Sequence, residues 1–444
     1  MEKTGFGKWK WTVLVLFGLI GQIAWAVENM YFNLFVYDTV AKDLNAVTLM
    51  VQLSGIMATV ATLLAGALSD KLGNRKAFVA WGYVIWGVTV ALFGTISPVL
   101  MQKLGFDESV AVQAALVAVV AGDCVMTLFG SSANDAAFNA WVTDNTEKAY
   151  RGKVEGVLSI FPLLSTLIVA GGFGLVVEAI GYTALFAAMG VVISACGVLG
   201  VFFIKDSPSL APSGRFRDIL YGFTPKAVKE NKKLYLSLCI VLIYGVACQI
   251  FMPYMIIYMK EYLGFSVVEY SVVFGLAILL GAAVNLYLTR LSDKKDKAKM
   301  LYVAAAVFAV GLLGMYFSKD MGKTATLILF GACGFVMITG YILVSALCGA
   351  LVRDYTPTAS VGKLQGVRMA FSVLVPMVVG PMIGNAINAA RNIPLPDTGS
   401  ADMMTTQFIP APEIFLAAAI CALLIFAVIP LLIKVRNKER GEVE

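Results

Sequence analysis

Histidine is absent from this chain of 444 residues, and charge is scarce, at 14% of residues. Without an imidazole, proton handling near neutral pH falls to buried carboxylates, and the commonest metal ligand is missing. A soluble domain carries roughly a quarter charged residues and about half apolar ones. The 59% hydrophobic content here points instead to a membrane protein. Cysteine is sparse as well: Cys124, Cys196, Cys239, Cys248, Cys333, Cys348 and Cys421 stand singly in apolar segments, with no pairing or metal-ligand spacing. They read as small packing residues and imply no disulfide framework. A nucleotide-cradling loop, a metal cluster and a nucleophile-base pair are missing too, which argues against an enzyme and against a metal or other cofactor.

Long apolar runs fill the chain. Twelve can cross a ~30 Å hydrocarbon core, each needing roughly 20 residues: about 11–37, 46–69, 77–99, 110–142, 153–177 and 182–204, then 233–259, 266–289, 299–317, 324–352, 360–388 and 412–434. The first run contains Ala24-Trp25-Ala26, which imitates a signal-peptide cleavage site, but it is too long for one and suits a first spanning helix. With the N-terminus inside, 28 of the 34 Lys and Arg residues fall on the cytoplasmic side; Lys42, Lys103, Lys260, Lys319, Lys323 and Arg391 fall outside. That asymmetry predicts cytoplasmic termini in a bacterial-type inner membrane. It also accounts for the net charge of +6 without nucleic acid as a partner. The polar stretch 205–232 reads as a cytoplasmic linker between an N-terminal half, 1–204, and a C-terminal half, 233–444. Its basic residues can touch anionic membrane lipid.

The halves repeat. Gly66-Ala67-Leu68-Ser69-Asp70-Lys71-Leu72-Gly73-Asn74-Arg75-Lys76 returns about 223 residues later in worn form as Leu291-Ser292-Asp293-Lys294-Lys295-Asp296-Lys297. A second pair of loops, Val142 to Val157 and Val352 to Val367, agrees at eight of sixteen positions after a shift of about 210, with Asp144 facing Asp354. Such duplication suits two six-helix bundles that rock about a midplane site. The Gly66 to Lys76 loop resembles the signature between helices 2 and 3 of the major facilitator superfamily. That resemblance implies secondary transport by alternating access, and a cytoplasmic gate formed by Asp70, Arg75 and Lys76. Asp144, Asp293 and Asp354 complete the charge networks, with Asp70 and Asp293 facing the helix starts near Ser360 and Gly152.

Ionisable groups inside a span are costly and mark function. Glu28 is one. At 100° per residue Gly21, Trp25, Phe32 and Phe35 share its face, and Tyr31 lies beside it, so an acid is flanked by aromatic rings. A sugar ring suits that pairing, and an organic cation would accept it too. In helix 4, Asp123 shares a face with Thr127, Gly130 and Asn134, while Asp135 shares one with Ser131 and Asn139. Glu28, Asp123 and Asp135 are thus the candidate cation-coupling acids. Trp25, Glu28, Tyr31, Phe32 and Asn134 are the candidate solute contacts of the first half. The second half offers neutral groups, Gln249, Tyr254 and Asn285, and puts Phe251 where Glu28 stands.

The run from Asp135 to Asp144, followed by Arg151-Gly152-Lys153, is similar to the helix 4 end of glycoside-pentoside-hexuronide:cation symporters and of sucrose-proton symporters. Sodium-coupled members of that group carry acids in helix 2, and helix 2 here has none, which favours a proton. The expectation is a monomeric, twelve-helix, all-α secondary transporter that imports a sugar or glycoside with a cation. The alternatives are a proton-coupled exporter of cationic or amphipathic compounds and a transporter-like membrane sensor.

Overall fold

The computed structural model describes residues 7–147, 150–208, 210, 212, 216–292, 296–319, 321–357, 364–395 and 408–439. Long apolar helices dominate it: α1 Lys8–Val40, α2 Leu44–Leu72, α3 Arg75–Phe93 and α4 Glu108–Asn145. A run of 48 residues then follows, Gly156–Phe203. At 1.5 Å per residue that is about 72 Å, more than twice the hydrocarbon core, so it must cross twice. The break falls at Gly181, whose φ of 78° closes a bend that a side chain would strain. It divides the run into α5, 156–180, and α6, 182–203. The chain continues as α7 Lys232–Tyr262, α8 Val267–Ser292, α9 Lys297–Phe317, α10 Lys323–Tyr355, α11 Gln365–Arg391 and α12 Glu413–Lys438. The architecture is therefore twelve membrane helices. A two-residue antiparallel pair, β1 Ile393–Pro394 with β2 Phe408–Ile409, precedes α12.

Contacts divide the chain into two compact units. The N-terminal unit comprises Met1–Lys42 and Leu53–Phe216; the C-terminal unit takes Asp43–Gln52, the opening of α2, with Arg217–Glu444. In the N-terminal unit α3 lies against α6 along a seam of glycines: a Cβ on Gly87 would collide with the Gly190 carbonyl, and one on Gly190 with the Gly87 carbonyl. Small residues let membrane helices approach this closely where no hydrophobic effect drives them together. At one end of that seam Phe32 stacks on Phe93 at 4.1 Å, with Phe35 and Phe186 closing the cluster. In the C-terminal unit α9 and α10 use the same device, with Gly311 on Met337 and Gly340 on Phe308. Large apolar residues such as Trp81, Val117, Phe202, Tyr287 and Ile328 stay exposed, as suits helices in lipid rather than water.

Several helices are locally wound with i→i+5 bonding. These π turns lie at Glu28–Phe32 and Val36–Val40 in α1, Ser131–Phe138 in α4, Val169–Phe173 in α5, Tyr258–Tyr262 in α7 and Ala370–Leu374 in α11. Each adds a residue to the turn and so rotates whatever follows.

Candidate functional site

In the N-terminal unit the π turn of α1 begins at Glu28, which is only 8% exposed. Its Oε1 accepts from Ser54 Oγ of α2 at 3.0 Å and from Thr127 Oγ1 of α4 at 3.2 Å. The two hydroxyl oxygens are 2.8 Å apart. One turn before Thr127, Asp123 is 1% exposed and reaches the same Ser54. Three helices thus meet at two carboxylates and two hydroxyls. Glu28 Oε2 and Asp123 Oδ1 have no hydrogen-bond partner. Such orphaned acceptors are costly in an apolar bundle and are concentrated at working sites.

Beside this cluster runs a second one. Trp25 Nε1 donates to Asn134 Oδ1 at 3.3 Å, Asn134 Nδ2 donates to Tyr83 OH at 2.6 Å, and Tyr83 OH donates to the Phe17 carbonyl at 2.7 Å. Because an indole N–H can only donate and a carbonyl only accept, the direction of the chain and the orientation of the amide are fixed. Trp86 lies 5.0 Å from Trp25, between ring centroids. The backbone leaves room for all of this at two glycines. A Cβ on Gly21 would collide with Asn134 Nδ2, and one on Gly130 would fall 2.7 Å from the Trp86 ring. Asp135, half-buried, lies in the same π turn, within electrostatic reach of Trp25 and Ser131.

The face drawn from 100° per residue is therefore divided. Trp25 and Glu28 remain at the site, but the π turn at Glu28 rotates the rings beyond it. Phe32 and Phe35 pack against Phe93 and Phe186 instead, and Tyr31 lies fully buried beside Phe173. In α4 the π turn from Ser131 separates Asn134 from the Asp123 and Thr127 cluster in the same way. Ser54, Tyr83 and Trp86 join these clusters and were not legible beforehand. Ser54 is one hydroxyl among several in an apolar helix, and nothing in the spacing of α3 turns Tyr83 and Trp86 inward.

In the C-terminal unit, Tyr254 is fully buried, with its hydroxyl 2.7 Å from Thr48 Oγ1 and donating to the Pro381 carbonyl at 2.9 Å. Asn285 donates from Nδ2 to the carbonyls of Gly281 and Thr339, joining α8 to α10. Gln249, half-buried, packs where a Cβ on Gly380 would stand.

A profile of the Major Facilitator Superfamily matches residues 14–381. The chain belongs to that superfamily. Among curated proteins it is 25% identical over 283 residues to the "Probable sulfoacetate transporter SauU" of Cupriavidus necator, covering 59% of this chain and 60% of that protein. The match thus spans less than two thirds of the relative's length. Among solved structures, a point mutant of the nucleoside transporter NupG superposes with a TM-score of 0.69 at 12% identity, over 95% of this chain and 99% of that one. A bacterial homologue of the iron transporter ferroportin follows at 0.60 and 14%, over 95% and 98%. At such identities the likeness shows the fold alone. The superfamily membership and this architecture make the protein a multi-pass membrane transporter, not an enzyme.

The superfamily loop is built around one buried arginine. Arg75, 5% exposed, donates to Ser69 Oγ at 2.6 Å, to Asp144 at 3.1 Å and to Asp70. Asp70 thus pairs within its own loop; the helix start near Ser360 lies outside the described residues. Asn74 caps α3 by accepting from Ala77 N–H at 2.9 Å. Asp206, just past α6, adds a second cap on Lys76 N–H at 3.0 Å. Burial pushes the Asp206 carboxyl up from its ordinary value, and the backbone N–H groups of Lys76 and Arg75 with the charge of Arg75 partly offset that. In the C-terminal unit Asp354 accepts from Lys297 at 2.7 Å, while Asp293 lies outside the described residues.

Proposed function

We propose that this superfamily member is a cation-coupled importer of a sugar or glycoside, with both termini cytoplasmic and the helices in a bacterial-type inner membrane. In this reading residues 1–204 and 233–444 are two halves joined by the 205–232 linker, and they alternate access as a monomer. One observation carries it: a buried carboxylate, Glu28, stands one turn from an indole, Trp25, whose orientation is fixed by Asn134 and Tyr83. The indole offers an apolar face to a sugar ring, and Asp135 with the amide offers hydrogen bonds to its hydroxyls. Glu28 and Asp123, without a basic partner among the described ion pairs, supply the ion-coupling charge. Import rather than export is the reading for a neutral solute driven by an inward cation gradient.

The SauU relative favours a second reading, an organic anion. Three acids in the same unit oppose it, because like charges repel strongly at low dielectric. Uptake into right-side-out and inside-out vesicles, with radiolabelled sugars, nucleosides and sulfoacetate under imposed proton or sodium gradients, tests both. Gradient-dependent accumulation of a sugar or nucleoside that Glu28→Gln abolishes supports the proposal. Accumulation of sulfoacetate alone replaces it with the anion reading. Expulsion of a lipophilic cation with no sugar movement makes the protein an exporter.

A further inference from the structure

Glu28 and Asp123 are both more than nine-tenths buried, and each leaves one carboxylate oxygen without a partner. The hydroxyls beside them cannot make up the deficit. Ser54 and Thr127 bring two hydrogens to four contacts: one from each to Glu28 Oε1, one from Ser54 to Asp123, and one between themselves. The cluster is rich in oxygen and poor in hydrogen. Its charge is unbalanced as well, since no Lys or Arg forms an ion pair with either acid among the described residues, and Asp135 adds a third negative charge within electrostatic range.

We propose that Glu28 and Asp123, with the hydroxyls of Ser54 and Thr127, hold a dehydrated sodium ion, and that this ion is the one coupled to transport. The inference rests on the cation-coupled reading above and names its ion. A proton binds one oxygen and needs an aligned acceptor for its hydrogen bond. A metal cation has no such direction to satisfy and draws on oxygens from all four side chains at once. The donors are hard oxygens without nitrogen or sulfur, which selects the alkali and alkaline-earth ions over transition metals. A coupling ion must also leave in every cycle, and a single charge between two carboxylates leaves far more readily than a double one. The lack of acids in the 46–69 stretch of α2, which favours a proton by resemblance, does not weigh against this site, because α2 contributes the Ser54 hydroxyl instead.

Thermal unfolding of the purified full-length protein in lipid nanodiscs, without solute, tests this directly. At constant ionic strength, 100 mM sodium is expected to raise Tm by about 3 °C over choline, the shift for binding near a hundredfold excess over Kd. Lithium shares the effect and potassium does not. Glu28→Gln and Asp123→Asn each remove the shift; Ser54→Ala weakens apparent sodium affinity at least tenfold, while Ser54→Thr, which keeps the hydroxyl, retains it. Equal responses to all chloride salts overturn the proposal. So does stabilisation by acidification from pH 8 to pH 6 without any sodium effect, or a larger shift from calcium or magnesium. A sodium shift without sugar uptake sinks the solute reading and leaves the ion site standing. Proton-driven sugar uptake without a sodium shift does the reverse.

Discussion

The two units share a plan and differ in what they bury. The N-terminal unit buries Glu28, Asp123 and Arg75; at the position that aligns with Glu28, the C-terminal unit buries Phe251 at 0% exposure. The bond from the helix 3 start to the helix 4 end is made by a guanidinium whose side chain is 6% exposed, whereas its counterpart joins Lys297 to Asp354, at 35% and 49%. A planar fork reaches Ser69, Asp70 and Asp144 together, while an ammonium on a flexible stem makes one screened contact. The C-terminal unit adds a clamp of its own, a bidentate pair from Arg436 to Asp296 at 2.6 and 2.7 Å. Duplication preserved the helices and let the charges diverge. One unit buries acids within its helices, and the other buries a phenylalanine at the aligned position.

The largest effect is expected from forcing the halves to match. Phe251→Glu places a carboxylate in a fully buried position without a built partner, at a cost of several kcal/mol, and loss of folded protein in size-exclusion chromatography would register it. Gly21→Ala drives a methyl into Asn134 and Tyr83 and releases Trp25; about 2 kcal/mol of stability and most solute binding are expected to go, read by Tm and by tryptophan fluorescence. Arg75→Ala leaves Asp70 and Asp144 facing each other without a cation, and about 2 kcal/mol should be lost because both acids are only partly buried. Lys297→Ala is expected to cost less than about 1 kcal/mol. Equal losses from these last two would erase the contrast between the units.

Asp296→Asn is the smallest and depends on pH. Arg436 holds the Asp296 carboxyl below its ordinary value of 3.8. The folded state therefore binds this proton less readily than the unfolded one. Its stabilisation is complete above that ordinary value and fades as pH falls through the lower folded one. The difference between wild type and Asp296→Asn, measured by denaturation, is expected to shrink in acid and to hold constant from pH 6 to pH 8.

The twelve crossings were legible because long apolar runs and a 223-residue repeat have no other economical reading. Even the doubled run from Gly156 to Phe203 divides close to the expected gap, since Gly181 supplies the bend. Glu28 and Asp123 were legible as costly groups in apolar company. Their company was not. Periodicity assumes 3.6 residues per turn, and α1 and α4 abandon it where the site is built, at Glu28–Phe32 and Ser131–Phe138. Phe32 was thereby expected beside the acid and instead stacks on Phe93. Ser54 was hidden for another reason: a hydroxyl costs little in a membrane helix, so its presence signals nothing until its neighbours are known.

The wide winding of α4 has a genetic consequence. Asp123 and Thr127 precede Ser131–Phe138, and Asn139 to Asn145 follow it. The angle between the acid cluster and everything downstream is therefore set by how many codons lie in between. Removing one would turn the later side chains by about 100° without altering any of them. A relative that lost a single residue here would keep Asp123 and Thr127 in place and re-aim the end of α4, Asp144 included.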